Sequence, residues 1–189
     1  MRGTFSMIAA LALAIAAAPA AAGEAAPAAE TWQPVRVFIG SWSGARTAGG
    51  SEGKVVRQVE SSTDNRQLVV LERARGSDAA SWGAIAFDPA RQALVLRPYG
   101  EAGIAASELV LEAADPPNGS RLVFVTPPGS PHPTRLTYEL TGWNEFVERL
   151  EEGKDGGSFA LVSETRFKRG NARLALKAGR DATDRTAKR

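Results

Sequence analysis

From residue 37 onward, apolar and β-branched residues recur in short runs, with Gly, Pro, Asn or Asp at each gap. No stretch keeps a helical period long enough to carry the chain between parallel strands, so the pattern reads as an antiparallel meander. The runs predict ten strands, roughly 37–47, 53–61, 66–75, 81–87, 92–99, 103–113, 120–126, 134–141, 144–151 and 157–168. The gaps carry turn chemistry: glycines at 49, 50 and 53, Asp64-Asn65, Asp88-Pro89-Ala90-Arg91, Asp115 to Gly119, Gly142-Trp143-Asn144 and 153–157. Residues 126–133 hold four prolines and cannot pair, so they form a loop. The expected architecture is all-β: an up-and-down antiparallel β-barrel of about ten strands with a short N-terminal capping segment. Closure removes exposed strand edges, and ten strands enclose more room than their own side chains fill. A β-sandwich is the structural alternative.

The chain is organised around Phe38-Ile39-Gly40-Ser41-Trp42-Ser43-Gly44. Gly40 lets the first strand bend sharply and another backbone approach. Trp42 brings a large apolar surface and one N–H that needs a partner, which suits a barrel floor. Just before it, Thr31 to Val37 is expected to form a turn of helix over the barrel end, with Trp32 packed beneath. The expected organisation is a signal peptide over 1–22, a disordered Ala/Pro-rich spacer over 23–30, the barrel over 31–169 and a flexible basic tail over 170–189.

The leader reading rests on Arg2, the apolar run Met7 to Ala18 and the small residues Ala20-Ala21-Ala22 before Gly23. The run is too short to span a bilayer and no second one follows, so the expectation is a soluble periplasmic or secreted protein without a transmembrane segment. An uncleaved anchor is the alternative. There is no cysteine among the 189 residues, which excludes disulfides, thiolate metal sites, a cysteine nucleophile and a lipid-modified cysteine. The whole chain carries +2, but six basic and two acidic residues fall in 170–189, so the body before the tail is net negative. Basic charge is not gathered on the folded part, which argues against a nucleic-acid partner.

Gly40-Ser41-Trp42 near the start, with Glu164-Thr165-Arg166-Phe167-Lys168-Arg169 at the end of the last strand, resembles the calycin pattern of lipocalins and fatty-acid-binding proteins. Ser81-Trp82-Gly83, Phe87-Asp88-Pro89-Ala90-Arg91, Leu94-Val95-Leu96-Arg97, Leu122-Val123-Phe124-Val125, Thr137-Tyr138-Glu139-Leu140 and Asn144-Glu145-Phe146 are similar to exported bacterial barrels of unknown function. Those are grouped with nitrobindin-type heme-binding β-barrels. The resemblance implies a structural closure in which a terminal-strand arginine packs across Trp42 beside Gly40, with Arg166 the first choice and Arg169 the second. It also raises heme as a cofactor, yet no histidine stands in 134–169, where an axial ligand is expected. No cofactor is therefore expected.

Candidate ligand-binding residues are Trp42, Trp82 and Phe146 as apolar walls, with Arg97, Tyr99, Tyr138, Glu139 and Arg166 to orient a polar or anionic head group. Glu145, Glu148, Glu151 and Glu152 alternate faces on one strand and read as solvated outer charges. His132, the single histidine, sits between Pro131 and Pro133 and reads as an exposed loop residue. Gly40-Ser41-Trp42-Ser43-Gly44 has the glycine spacing of a nucleophile elbow but a Trp at its centre. No catalytic or metal-binding residue is assigned. The functional expectation is an exported, non-catalytic binding protein for a small apolar or amphipathic molecule. Two alternatives stand beside it: a barrel enzyme acting on such a molecule, and an envelope interaction protein with a filled barrel whose basic tail docks on an anionic surface. The sequence leaves oligomeric state open.

Overall fold

The computed structural model describes residues 29–77, 80–99, 108–115, 120–154 and 157–170. The expected leader, most of the spacer, the tail beyond Gly170 and the start of the sixth expected strand lie outside these residues. One helix, α1 (Ala29–Arg36), precedes ten strands: β1 (Gly40–Ala48), β2 (Ser51–Ser61), β3 (Gln67–Ala74), β4 (Ala80–Asp88), β5 (Ala93–Tyr99), β6 (Leu109–Ala114), β7 (Arg121–Val125), β8 (Thr134–Gly142), β9 (Glu145–Gly153) and β10 (Phe159–Arg169). Each strand pairs antiparallel with its chain neighbours, and β1 pairs with β10, so the sheet is a closed barrel. Ala29 and Glu30, expected to end the spacer, belong to the helix. No helix among the described residues is long and apolar enough to cross a membrane.

Turn chemistry sets the strand ends. Asp88 accepts from the backbone N–H groups of Ala90 (2.9 Å) and Arg91 (3.3 Å), and Asp64 does the same for Arg66 (3.1 Å), so each carboxylate closes its own reversal. Extra residues break the alternation between Leu161 and Ser163, between Leu140 and Gly142, and between Leu111 and Ala113. At the first of these Val162 is unopposed, and beyond it Ser163, Thr165, Phe167 and Arg169 share the inward face.

One end of the barrel is packed solid. Trp32 and Val35 lie three residues apart on one side of α1, and both are buried. An eight-residue helix containing Pro34 has little stability of its own, so docking this face holds it in place. Beneath it Trp42, Phe146 and Phe167 are almost fully buried: Trp42 meets Phe146 edge-on with ring centres 4.7 Å apart, and Phe146 stacks on Phe167 at 4.7 Å. Gly44 makes room for that stack, because a Cβ there would lie 2.9 Å from Phe167 Cδ1.

The closure is made by Arg169, which corrects the expectation of Arg166. Trp42 donates its indole N–H to the carbonyl of Phe38 (2.7 Å), bending the lead-in back over the ring. Arg169, paired with Trp42 across β1 and β10, lays its guanidinium 4.3 Å from the indole centre. It donates to the carbonyls of Ile39 (3.0 Å) and Val37 (3.1 Å). Gly40 adopts φ +134°, and a Cβ there would fall 2.5 Å from Arg169 Nη1, so only glycine fits. Arg166 has the opposite phase on β10 and points outward, its side chain 75% exposed and paired with Glu164 (3.1 Å).

These contacts set an order of stability among variants. Trp42→Ala should cost about 3–5 kcal/mol in urea unfolding. Arg169→Ala should cost about 1–3 kcal/mol through its lost bonds to the carbonyls of Val37 and Ile39 and its lost packing on Trp42, and Arg166→Ala should stay within about 0.5 kcal/mol of wild type. Equal midpoints for the two arginine variants would remove Arg169 from the closure.

Candidate ligand cavity

Above the aromatic floor, the inward face carries charge. In β2 the apolar alternation Val55, Val59 is interrupted by Arg57; in β3 Leu68 and Val70 lead to Glu72; in β9 Phe146 and Leu150 flank Glu148; in β1 Trp42 and Gly44 lead to Arg46. Cross-strand register brings these positions together. Arg57 stands opposite Glu72, Tyr138 opposite Glu148, Glu148 opposite Thr165 and Thr165 opposite Arg46. The result is a belt of side chains from consecutive strands around the lumen.

Arg57, Glu72, Glu148 and Thr165 are buried. Arg57 donates to Glu72 through Nε (3.0 Å) and Nη2 (2.5 Å), and across the lumen to Glu148 through Nη1 (2.5 Å) and Nη2 (2.9 Å). Its guanidinium also lies 4.3 Å from the Phe167 ring centre, on the floor side. Arg46 donates Nε to Thr165 Oγ1 (3.0 Å), while its Nη2 lies 2.6 Å from Glu72 and 3.5 Å from Glu148. Two guanidiniums and two carboxylates thus neutralise one another inside the barrel, which isolated buried charges cannot do.

Burial opposes the charge on Arg57, but Glu148 and Glu72 outweigh it and hold the group charged well beyond the ordinary guanidinium range. Burial likewise works against the Glu72 carboxylate; Arg57 and then Arg46 overcome it and hold the group below its ordinary value of 4.5. Burial pushes the Tyr138 hydroxyl far up, and the neighbouring Glu148 charge adds to this, so the phenol stays protonated.

Between this belt and the opposite end of the barrel lies a cavity of about 580 Å³. Its walls are aliphatic, built by Val70, Leu96, Leu109, Leu136 and Leu150. Arg46, Arg57, Glu72, Tyr138 and Glu148 form its base. The rim is made by the β4 and β5 ends, with Trp82 and Pro98, by Pro131-His132-Pro133 and by Glu152 and Gly153. This volume and this mix of apolar wall with a few polar groups are those of small-molecule sites.

The expected site residues divide. Tyr138 lies at the cavity base, and Trp82, about half exposed, stands at the rim. Trp42 and Phe146 belong to the floor below the belt and do not line the cavity. Arg97 faces away from Leu96 and Pro98 and binds Glu108 (2.7 Å), while Glu139 is held by Arg149 (2.6 Å) on the outer face. Neither reaches the lumen, because each is one residue out of phase with its inward neighbours. Tyr99 ends β5 opposite Trp82, and its side chain lies outside the described residues. His132 is exposed, but it forms part of the rim.

Glu148 is a second correction. Only Glu145 and Glu151 of the four carboxylates take outer pairs, with Lys168 (2.9 Å) and Arg135 (2.7 Å). Sequence reasoning missed Arg46, Arg57 and Glu72 as well. The signal was present: each is spaced two or four residues from apolar positions on the inward face.

No family model and no curated protein matches the sequence. Among solved structures, the chain is similar to an S-type phycobiliprotein lyase from Guillardia theta, at 9% identity over 78% of this chain and 100% of that one, with a TM-score of 0.45. It is also similar to a DUF3598-family protein of unknown function from Nostoc punctiforme, at 10% identity over 72% of this chain and 49% of that one, TM-score 0.42. A redesigned β-barrel matches at 10% identity over 73% of this chain and 96% of that one, TM-score 0.36.

The belt makes stability sensitive to its members and to acid. Arg57→Met leaves buried carboxylates without their main partner and should cost about 3–5 kcal/mol, whereas Arg149→Met on the outer face should cost about 0–1 kcal/mol. Glu72 has a lower pKa folded than unfolded, so its contribution is fully present above 4.5 and is lost as pH falls through the folded value. Urea midpoints should therefore decline on the acid side, and less steeply in Glu72→Gln. An unchanged acid slope in that variant would contradict the assignment.

Proposed function

We propose that this is an exported, non-catalytic protein that binds a small apolar or amphipathic molecule inside the barrel. The cavity carries this reading: aliphatic walls over a polar base, reached from one end, while the other end is closed by α1 and the aromatic floor. It also favours a binder over a barrel filled by its own side chains. Support for a non-catalytic role comes from the state of the base. Glu72 and Glu148 are each bonded by Arg57 and Tyr138 is held protonated, so none of the three is poised to take a proton from a substrate. Export is supported by the leader pattern of residues 1–22.

Heme does not suit these residues. Its iron needs an axial donor over the macrocycle. Tyr138 is protonated and tied to the belt, and the one imidazole, His132, stands on the rim between two prolines. The reading therefore takes an organic ligand without a coordinated metal.

Three measurements test it. The environment-sensitive dye Nile red should brighten and saturate with one equivalent of protein, and Leu136→Trp, which puts a bulky ring into the cavity, should weaken it at least about tenfold. A Leu136→Trp variant that binds as well as wild type would rule the cavity out. Hemin should give no sharp Soret band that is lost in His132→Ala; such a band would overturn the heme argument. N-terminal sequencing of the protein purified from its cells should begin at Gly23, and a start at Met1 would overturn cleavage.

A further inference from the structure

We infer that the molecule held in this cavity is uncharged, an amphiphile ending in a hydrogen-bond acceptor such as an alcohol, ketone, ester or amide, rather than a carboxylate. The inference rests on the cavity being a binding site, and it concerns what the base of that site can recognise. Two arginines at the bottom of an apolar barrel look like a receptor for an anionic head group. Their bonds say otherwise. Arg57 spends Nε, Nη1 and Nη2 on Glu72 and Glu148, and its guanidinium is sealed against Phe167. Arg46 is shared between the same two carboxylates and Thr165. Around the cavity two guanidiniums, Arg46 and Arg57, face three carboxylates, Glu72, Glu148 and Glu152.

An entering carboxylate would lose its hydration and gain no net attraction, because Glu72 and Glu148 lie against the same guanidiniums it would approach. A neutral head group avoids that cost and needs only a donor. One is present: Nη1 of Arg46 makes no hydrogen bond among the described residues, and Arg46 lines the cavity with its side chain 31% exposed. Ser163, two residues from Thr165 on the inward face of β10, adds a hydroxyl to the same wall. The aliphatic residues above these groups take the apolar part of the ligand.

The experiment compares two amphiphiles of equal chain length. Nile red bound to the full mature chain is displaced with 1-decanol or with sodium decanoate near neutral pH, where decanoate is ionised. Wild type should bind decanol at least about tenfold more tightly than decanoate, as expected when only one of them carries a charge into a site without net positive charge. In Glu148→Gln, which leaves the two guanidiniums of the belt with Glu72 as their one carboxylate partner, decanoate should gain at least about tenfold. In Arg46→Met decanol should weaken several-fold, read by direct calorimetric titration. The wild-type comparison stands even where a variant fails to fold. Equal displacement, a preference for decanoate, or bound Nile red that neither compound displaces would overturn the inference. Absence of Nile red binding in wild type would instead overturn the binding-site reading beneath it.

Discussion

Arg57 is the interaction on which the interior depends. It rises from β2, binds Glu72 on the neighbouring strand, and reaches across the lumen to Glu148 on β9. Pairs of this kind do not in general stabilise a fold more than apolar packing would, because both partners lose their hydration. What they impose is geometry. A guanidinium with several bonds in fixed directions holds opposite walls of the barrel at one separation, and the ring of Phe167 beneath it is held flat against the floor.

That belt divides the lumen into two parts with different physics. Below it, side chains large enough to meet at the centre fill the space, and Trp42, Phe146, Phe167, Phe124 and Phe38 interlock. Above it the inward positions are held by Val70, Leu96, Leu109, Leu136 and Leu150, which are too short to touch across a ten-stranded barrel, so a cavity remains. The same belt that ends the packed floor therefore supplies the charged surface at the base of the cavity. Structure and the proposed recognition share residues there, so a ligand of this cavity would have to suit groups already committed to one another.

The order of strands was legible because each is bounded by residues whose backbone preferences are strong. Pro89 and the Asp88 carboxylate force a reversal, the prolines of 126–133 cannot donate to a ladder, and the glycines at 49 and 50 take positive φ. The site was less legible, and the reason is phase. Arg166 and Arg169 are equally basic and three residues apart, yet a strand sends them to opposite faces. The inward positions of Thr165 and Phe167 would have selected Arg169. Glu148 was discounted as an ordinary surface acid, and its place between Phe146 and Leu150 shows that it belongs to the lumen. Arg97 and Glu139 failed as pocket residues for the same cause, each being one step off the inward register.

By itself, then, the sequence determined the class of fold, the approximate ends of the strands, the floor built on Trp42 and the glycine beside it. Those follow from local preferences and from a two-residue period, which act over a few neighbours. Only the tertiary structure decided which strand end meets which, and so that Arg57 from β2 meets Glu148 from β9, 91 residues later in the chain. No local pattern carries that pairing, because it is set by closure of β1 on β10 and by the stagger of the strands between them. The lining of the cavity has the same origin. Its walls are ordinary core residues in the sequence, and they enclose empty space only because ten strands set them too far apart to meet.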